Sequence, residues 1–557
     1  MNYCEQKTLD GKLFCQLVIG AANELKNNVK TVNDLNVFPI PDGDTGDNMY
    51  RTISGGATKL QSATSDEVGV CAKILADGML LNARGNSGVI LSQLFAGMAK
   101  GFEDVKTATL TDIAKAMQAG VERGYKAVVT PVEGTILTVA RESVQYAVSQ
   151  IDEQSTLGSF MKDVLKEMPA SLERTPDLLD VLKEAGVVDS GGAGLLYIAH
   201  GANAVLEGKS VEGELTAATT AAHDVDLSKF NEDSVMEFGY CTEFLLQLQK
   251  IKVDVEKFDE NVVIDYLNTI GDSIVAFKTG TVIKVHVHTM QPYKALEFCQ
   301  QFGEFLTIKI ENMTLQHNEH VAKQKEDNLI PTVKRARRKF GLCTVAVGEG
   351  LTEVFRELGA DVVIDGGQGK NPSIADFIEA FNEIDADNIF VLPNNSNIIM
   401  AARQAADVYE NGNVYVIPSK NFGHAYAALS MLDYSSDNAE VIAANLENDM
   451  HGVTTGMISR SIRDANLNGV EIRESDYVGF TDKTMLVSNA DKTAAFFALC
   501  DKLHAEEMDF FTVVYGKDAT AEERAAAHAG VAEKYPNVEF YEIDGGQDVY
   551  DFILILE

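Results

Sequence analysis

The sequence lacks several features that would place it in a membrane or outside the cell. It contains no run of about 18 uncharged apolar residues and no charged-then-apolar leader, so neither a membrane span nor a secretory signal is visible. Its seven cysteines form no CxxC pair, which is typical of reduced thiols rather than a disulfide framework. We therefore expect a cytoplasmic protein.

Basic residues are also scarce. The chain carries 47 Lys and Arg against 83 Asp and Glu, a formal net charge of −36. Such a field repels nucleic acid backbones and anionic membrane surfaces, so we expect no nucleic acid partner. An anionic nucleotide would need a divalent metal ion and backbone amides to reverse the local potential.

At 557 residues the chain is too long for one core, and several domains are expected. Helical periodicity dominates the first two hundred residues, as in Leu13, Leu17, Ala21 and Leu25, and no convincing strand interrupts it. We predict an all-helical domain over residues 1–208. A polar, small-residue stretch follows, which predicts a linker over residues 209–234.

The rest of the chain changes style. A short turn at residues 278–280 separates two β-rich runs, 274–277 and 282–287, which predicts a β-hairpin in an α/β middle domain over 235–330. Residues 338–557 are predicted to form a two-lobed α/β domain, since short β runs alternate with helical patterns. Its predicted strands are 342–347, 361–364, 389–392, 414–417, 510–515 and 538–543.

An acidic loop carries the strongest chemical signal. Residues 41–49 read Pro-Asp-Gly-Asp-Thr-Gly-Asp-Asn-Met, so Asp42 and Asp44 present two hard oxygen ligands from a glycine-hinged loop. A calcium-binding EF-hand is excluded by spacing, because Ile53 stands at the twelfth position and Asp47 at the sixth. Magnesium on a nucleotide fits best; the alternative is a turn that merely caps the next helix.

Three further glycine-rich turns open helices in the same domain, at residues 83–88, 130–135 and 188–194. Free amides at a helix N-terminus favour anions. Each turn alone is more typical of structure than of function. Together with the acidic loop they make four such turns in one helical domain, one of them with paired carboxylates, and this combination favours a functional role for loops gathered at one end of the domain.

These segments, together with residues 36–46, resemble the ATP-binding domain of dihydroxyacetone kinases, in the version found in bacterial fatty acid kinase A subunits. Their order and spacing match along essentially the whole first domain. The resemblance implies an all-α antiparallel helical barrel that holds ADP or ATP with two magnesium ions at one rim.

The resemblance also implies roles for individual residues. Asp42, Asp44 and Asn36 are the expected magnesium ligands, and Asp42, Asp44 and Thr45 form the expected catalytic group. The expected nucleotide contacts are Gly46, Asn48, Asn86, Ser87, Gly88, Asp189, Ser190 and Gly191. In two departures from the family pattern, Asp47 replaces the usual Thr, and Asn36 stands where dihydroxyacetone kinases have a third carboxylate.

The resemblance continues along the chain. Residues 238–244, 284–289 and 311–317 look like the middle domain of the same subunits, and residues 365–373 and 392–397 resemble a divergent DegV-type fold. In that family a separate DegV-type protein carries the fatty acid. The implied reaction transfers the γ-phosphoryl group of ATP to the fatty acid carboxylate and gives an acyl phosphate. A homodimer is expected by family analogy.

The middle domain offers a second metal hypothesis. In a strand, His286 and His288 point to one face, so the two imidazoles could share a zinc ion with Cys241 as a third ligand. The alternative is that these histidines are only hydrogen-bonded.

Two other functions stay open at this point. The first domain could phosphorylate a small hydroxyl substrate similar to dihydroxyacetone. The chain could instead be a non-catalytic regulator, which senses nucleotide through its helical domain and binds lipid or a partner through its last domain.

Overall fold

The computed structural model describes residues 2–209, 211, 240–312 and 337–557, except 38, 39, 41, 42, 62, 64, 256, 260, 268, 280, 368 and 483. The side chains of several strand residues between 241 and 312 also lie outside this description. The chain forms two compact units: Met1–Ala218 together with Arg337–Glu557, and Thr219–Ala336.

The first part of the chain is helical. Its helices are α1 (Gly11–Asn27), α2 (Val29–Asn33), α3 (Thr45–Gln61), α4 (Val68–Leu81), α5 (Gly85–Gly101), α6 (Leu110–Ala127), α7 (Ile136–Ser149), α8 (Leu157–Glu173), α9 (Thr175–Leu178), α10 (Asp180–Ala185) and α11 (Ser190–Leu206). The expectation that no strand interrupts them was wrong at one point, because β1 (Thr8–Leu9) pairs antiparallel with β2 (Ala108–Thr109). Two-residue strands are too short to leave a periodic signal.

Long helices of this domain follow one another in a closed order of contacts. Each long helix packs against the next one, in the order α1, α3, α4, α5, α6, α7, α8 and α11. The last of them, α11, packs against α1 and closes the order. The periodic residues Leu13, Ala21 and Leu25 lie in the core that these helices enclose. The apolar pattern of α1 therefore predicted its buried face correctly.

The middle unit is an antiparallel sheet with two helices. Its elements are β3 (Tyr240–Leu248), α12 (Asn261–Leu267), β4 (Gly271–Thr279), β5 (Val282–Thr289), α13 (Pro292–Gln300) and β6 (Gly303–Asn312), and the strand order is β4-β5-β3-β6. The predicted hairpin is confirmed, since β4 pairs with β5. One face of the sheet packs against the two helices and forms the core of this unit. The core includes Phe244, Leu246 and Val285 of the sheet, Val263 of α12 and Cys299 of α13.

The last domain has two lobes. The first contains β7 (Arg338–Ala346), α14 (Glu349–Glu357), β8 (Val362–Asp365), α15 (Ile374–Glu383), β9 (Ala386–Leu392), α16 (Ile399–Val408), β10 (Asn413–Val416), α17 (Phe422–Ser430) and α18 (Ala439–Asp449). Its sheet is parallel in the order β10-β9-β7-β8.

The second lobe contains β11 (Thr454–Arg460), β12 (Ala465–Leu467), β13 (Val470–Ile472), β14 (Tyr477–Thr481), β15 (Thr484–Asn489), α19 (Lys492–Lys502), β16 (Phe510–Tyr515), α20 (Ala521–Lys534), β17 (Glu539–Asp544) and β18 (Phe552–Leu556). A mixed six-stranded sheet in the order β15-β14-β11-β18-β16-β17 forms its centre. The chain is thus a multidomain protein with a helical first domain followed by α/β domains.

No helix in the described ranges combines the length and the apolar character that a membrane crossing requires.

Candidate functional site

The first turns of three long helices meet at one rim of the helical domain. The hydroxyl of Ser190, at the start of α11, donates to the hydroxyl of Thr45, at the start of α3, over 3.2 Å. At the start of α5, a Cβ atom on Gly85 would lie 2.5 Å from the side-chain nitrogen of Asn48 on α3. Because backbone amides in a first helical turn lack intrahelical partners, this rim gathers donors suited to an anion.

A chain of side-chain contacts joins the acidic loop to α11. The Thr45 hydroxyl donates to the Oδ1 atom of Asn36 over 3.2 Å and accepts from Ser190. A Cβ atom on Gly43 would lie 3.5 Å from the Nδ2 atom of Asn36, so Asn36 also borders the glycine between the two aspartates. Asn36, Thr45 and Ser190, which the resemblance assigned to one site, therefore lie together.

Asp44 lies at the base of this loop and is only 8% exposed. Burial raises the pKa of its carboxyl to about 6, although hydrogen bonds from Asn48 and Asn371 act in the opposite direction. The raised pKa reflects a desolvated carboxylate, a kind of group whose charged form a bound cation would stabilise. Asp42 lies outside the described residues.

The glycine-rich turn at residues 83–88 leads into α5 through Gly85, whose φ of +56° favours glycine. Asn86 donates its side-chain amide to the carbonyl of Ser396 over 3.3 Å, while its Oδ1 atom is buried without a partner among the described residues. Ser87 is half-buried. At Gly88 a Cβ atom would come within 2.4 Å of the Thr52 hydroxyl, so α3 and α5 approach closely below the rim.

In the turn at residues 188–194, Asp189 is the N-cap residue of α11. Its carboxylate accepts from the amide of Gly192 over 2.7 Å and from the amide of Ile136, the first residue of α7. This carboxylate therefore links the turn at residues 188–194 to the end of the turn at residues 130–135. Burial raises the pKa of Asp189 to about 6, against these hydrogen bonds. Gly191 packs beside Ile136, where a Cβ atom would lie 3.2 Å from its side chain.

Sequence reasoning missed Asn33, which positions the start of α3. Its Oδ1 atom accepts from the amide of Gly46 over 2.7 Å, and its Nδ2 atom donates to Asp47 over 2.8 Å. A Cβ atom on Gly46 would lie 2.4 Å from the carbonyl oxygen of Val29, so this position accommodates only glycine. An asparagine thirteen residues before its partner gives no local signal.

Two residues of the last domain also reach the rim. The side-chain amide of Asn371 donates to the carboxylate of Asp44, and the guanidinium of Arg463 donates to the carbonyls of Asp34, Asn36 and Val37. They lie more than 300 residues further along the chain, so sequence spacing could not have revealed them.

In the middle unit, only the backbone bears on the zinc hypothesis. The strand register pairs Cys241 with His288 and Glu243 with His286. The side chains of Cys241, His286 and His288 lie outside the described residues, so their ligand geometry stays a prediction.

Among the cavities in the described parts of the chain, two differ in their lining. One of about 200 Å³ in the helical domain is lined entirely by apolar residues, among them Phe14, Leu94 and Phe160. The other, of about 500 Å³, lies between the lobes of the last domain and has a mixed lining that includes Asn394 and Lys420. It opens at the carboxyl edge of the parallel sheet, a common place for ligands in α/β folds.

The rim brings the amides of three first helical turns, two hydroxyls and a buried carboxylate together. Amides and hydroxyls bind phosphate oxygens, and carboxylate and amide oxygens suit magnesium. The arrangement can therefore hold a metal-bound polyphosphate.

Three family models match the chain. A DAK2 domain matches residues 39–204, the FakA-like middle domain of fatty acid kinases matches residues 237–320, and the FakA-like C-terminal domain matches residues 341–557. The three domains occur in the order that the sequence predicted.

Among curated proteins, the chain is similar to Protein YloV of Bacillus subtilis, with 39% identity over 559 residues, covering 99% of this chain and 100% of that protein. Solved structures with a partial likeness include DegV, a fatty acid binding protein from Bacillus subtilis (TM-score 0.30, 14% identity, 39% of this chain and 99% of that one). Another is the dihydroxyacetone kinase from C. freundii in complex with AMP-PNP and Mg²⁺ (TM-score 0.29, 16% identity, 36% of this chain and 35% of that one). On the full-length relative and the three domain matches, the chain belongs to the FakA-like family, that of the fatty acid kinase A subunits.

Proposed function

We propose that this protein is the ATP-binding subunit of a fatty acid kinase. It transfers the γ-phosphoryl group of ATP to the carboxylate of a fatty acid that a separate DegV-type protein carries, and the products are ADP and an acyl phosphate. Family membership supports the reaction class. The observation that carries the proposal is the meeting of the α3, α5 and α11 N-termini around Asp44.

The residues at the rim fit magnesium and a nucleotide. Asp44 offers a buried carboxylate, and the unpartnered Oδ1 atom of Asn86 offers a further acceptor. With Asp42 and Asn36, they would hold the metal ions. Bound magnesium supplies the charge neutralisation of the phosphate oxygens that phosphoryl transfer requires.

The remaining residues would orient the nucleotide. At the start of α5 the amides of Asn86 and Ser87 would bind phosphate oxygens, and at the start of α11 those of Ser190 and Gly191 would do the same. The amides of Gly46, Asn48 and Gly88 already donate to Asn33, Asp44 and Arg84, so these three residues would line the nucleotide site by close approach. The Thr45 hydroxyl, already hydrogen-bonded to Ser190, would fix the position of the loop relative to α11.

An acyl acceptor suits this rim because a fatty acid carboxylate is already ionised at neutral pH. The transfer then requires no general base, and positioning with charge neutralisation supplies the catalysis. A hydroxyl acceptor such as dihydroxyacetone would need its proton removed.

Reconstitution tests the proposal directly. The full chain is mixed with ATP labelled in the γ position, magnesium, a DegV-type fatty acid binding protein and a fatty acid, and hydroxylamine traps any acyl phosphate as a hydroxamate. Asp44→Asn should lower the rate by roughly a hundredfold, since it removes a metal ligand's charge. Asp77→Asn, a change at an exposed aspartate of α4, is the matched control.

Hydroxamate formed at the wild-type rate by Asp44→Asn would contradict the assignment of the metal site. Label transferred to dihydroxyacetone, with no acyl phosphate under any condition, would instead indicate the small-hydroxyl reaction.

We also propose that Cys241, His286 and His288 bind zinc in the middle domain. The direct pairing of Cys241 with His288 in the sheet supports this, because paired residues of antiparallel strands share a face. Metal analysis of the purified chain should find about one zinc per chain. Zinc content unchanged in Cys241→Ser would contradict this site.

The expected homodimer is a separate prediction. Analytical ultracentrifugation of the same samples tests it.

A second candidate function is supported by the cavity of about 500 Å³ between the lobes of the last domain. In that case the domain binds a lipid and the chain acts as a regulator without catalysis. Lipid extracted from the purified full chain, together with no phosphoryl transfer in the reconstitution, would favour this function.

A further inference from the structure

The last domain covers the phosphate rim of the helical domain. We propose that the chain exchanges between this closed arrangement and an open one, and that magnesium-ATP and the last domain compete for the rim. The inference rests on the proposed function, because it assumes that the rim is where the nucleotide binds.

The contact between Asn371 and Asp44 places the last domain on the expected metal ligand itself. The side-chain amide of Asn371 donates to Oδ2 of Asp44, and the two residues are 3% and 8% exposed. A carboxylate oxygen can accept a hydrogen bond and bind a metal ion at the same time, so the hydrogen bond alone excludes nothing. With only 8% of Asp44 exposed, however, a metal ion that brings its water and phosphate ligands has no room at this carboxylate while Asn371 lies on it.

A second contact holds the start of the acidic loop. The guanidinium of Arg463 donates to the carbonyls of Asp34 over 2.8 Å and Val37 over 3.0 Å, and also to the carbonyl of Asn36. Hydrogen bonds from a charged donor are stronger than neutral ones. The loop is therefore clamped at both ends, by Arg463 before it and by Asn371 at Asp44.

Apolar packing lies between these polar contacts. Ile40, in the middle of the loop, is 1% exposed and belongs to the core cluster of the last domain. Ala83 and Val89, on either side of the α5 N-terminus, are fully buried in a cluster with residues of α15 and α16. Burial of several apolar residues between the polar contacts indicates a packed interface rather than a few isolated surface contacts.

The last domain also contacts the glycine-rich turn at residues 83–88, which opens α5. Arg84 donates to the carbonyl of Asn371 over 2.7 Å and forms an ion pair with Asp376 at 3.2 Å. Asn86 donates to the carbonyl of Ser396. Asn86, which is proposed to face phosphate, thus binds the last domain in the closed arrangement.

The closed interface also leaves polar groups unsatisfied. Among the described residues, the Oδ1 atoms of both Asn86 and Asn371 are buried without a hydrogen-bond partner. Buried acceptors without partners cost free energy, so closure is opposed from within its own interface. This opposition favours an arrangement that can open when a ligand binds better to the open form.

If closure and nucleotide binding compete, the apparent dissociation constant equals the intrinsic one divided by the open fraction. Weakening the closed contacts should then tighten nucleotide binding. We expect Arg463→Ala to bind magnesium-AMP-PNP roughly tenfold more tightly than the wild type, because it removes charged hydrogen bonds to the loop. Asn371→Ala should change affinity in the same direction, and Arg463→Lys should lie between.

The experiment is calorimetric titration of the full chain with magnesium-AMP-PNP. Arg473→Ala is the matched control for Arg463, since Arg473 is exposed on the same lobe, and Asn411→Ala, also exposed, is the control for Asn371. Both controls should keep the wild-type affinity. Circular dichroism checks that each variant is folded.

Hydrogen exchange on the wild-type chain gives a test that needs no variant. Saturating magnesium-AMP-PNP should increase amide exchange in the peptides that contain Asn371 and Arg463. Nucleotide that binds with unchanged exchange and equal affinity in all variants would overturn the competition while leaving the proposed function intact. Weaker binding by Arg463→Ala and Asn371→Ala would also overturn it. A wild type and variants that all fail to bind nucleotide would overturn the proposed function itself.

Discussion

Replacing Asp189 by asparagine should remove one pH-dependent contribution to the stability of the helical domain. Burial raises the pKa of this carboxyl from its ordinary value of 3.8 to about 6 in the folded protein. The folded state therefore holds the Asp189 proton more tightly than the unfolded state does. Its contribution to stability is most favourable below about pH 4, falls as pH rises through about 6, and is constant above that.

The size of the effect follows from the two pKa values. At about pH 7.5, the burial of the ionised carboxylate costs about 3 kcal/mol of the free energy of unfolding, and at about pH 5.2 about 2 kcal/mol. Asparagine has no charge to bury but keeps an oxygen that can accept from the Gly192 amide. Any change in hydrogen bonding is the same at both pH values. The stability difference between Asp189→Asn and wild type should thus be about 1 kcal/mol more favourable to the variant at the higher pH.

Urea unfolding monitored at Cys71 measures this quantity in the intact chain. Cys71 on α4 is fully buried in the helical core, so its thiol reacts only when that domain unfolds. A dipyridyl disulfide labels thiols at both pH values, and mass spectrometry assigns the labelled cysteine. Asp177→Asn, at an exposed aspartate, is the control and should show no such pH-dependent difference.

A stability difference that stays the same at the two pH values would refute the idea that burial of the Asp189 carboxylate outweighs the hydrogen bonds that it accepts. A difference of opposite sign would mean that a cation stabilises the carboxylate in the folded state.

Three shorter predictions concern other parts of the chain. The kcat/KM of the wild type should fall as pH drops below about 6, because burial raises the pKa of Asp44 to about 6 and the protonated acid binds no cation; a pH-rate profile measures this. Gly88→Ala should lower the free energy of unfolding by about 1–3 kcal/mol in a urea titration, because its Cβ atom would meet the Thr52 hydroxyl at 2.4 Å. Lys492→Met should destabilise the second lobe by about 3–5 kcal/mol in thermal unfolding, because it leaves the buried Asp551 without the ammonium that lies 2.7 Å away.

Much of the fold could be predicted because its signals are local. The spacing of Leu13, Ala21 and Leu25 gave α1, and β-rich runs gave β16 and the β4–β5 pair within a few residues of their ends. Short-range periodicity depends only on neighbouring residues, which the sequence displays directly.

The site was only partly predictable. The glycine-rich turns and the acidic loop have local signatures, and the structure brings Asn36, Thr45 and Ser190 together. Asn371 and Arg463 could not be found in this way, because their contacts arise from the docking of two domains. No pattern in a segment of the chain encodes which surface of another domain it will meet.

The late position of Asn371 in the chain has a consequence for biosynthesis. The helical domain ends with α11 at Leu206, whereas the groups that cover its rim are translated only after the middle domain. At about 5–20 residues per second, a ribosome needs roughly ten to thirty seconds to travel between the two points. During that interval a nascent chain carries an uncovered rim, so cellular nucleotide can reach it before the covering domain exists.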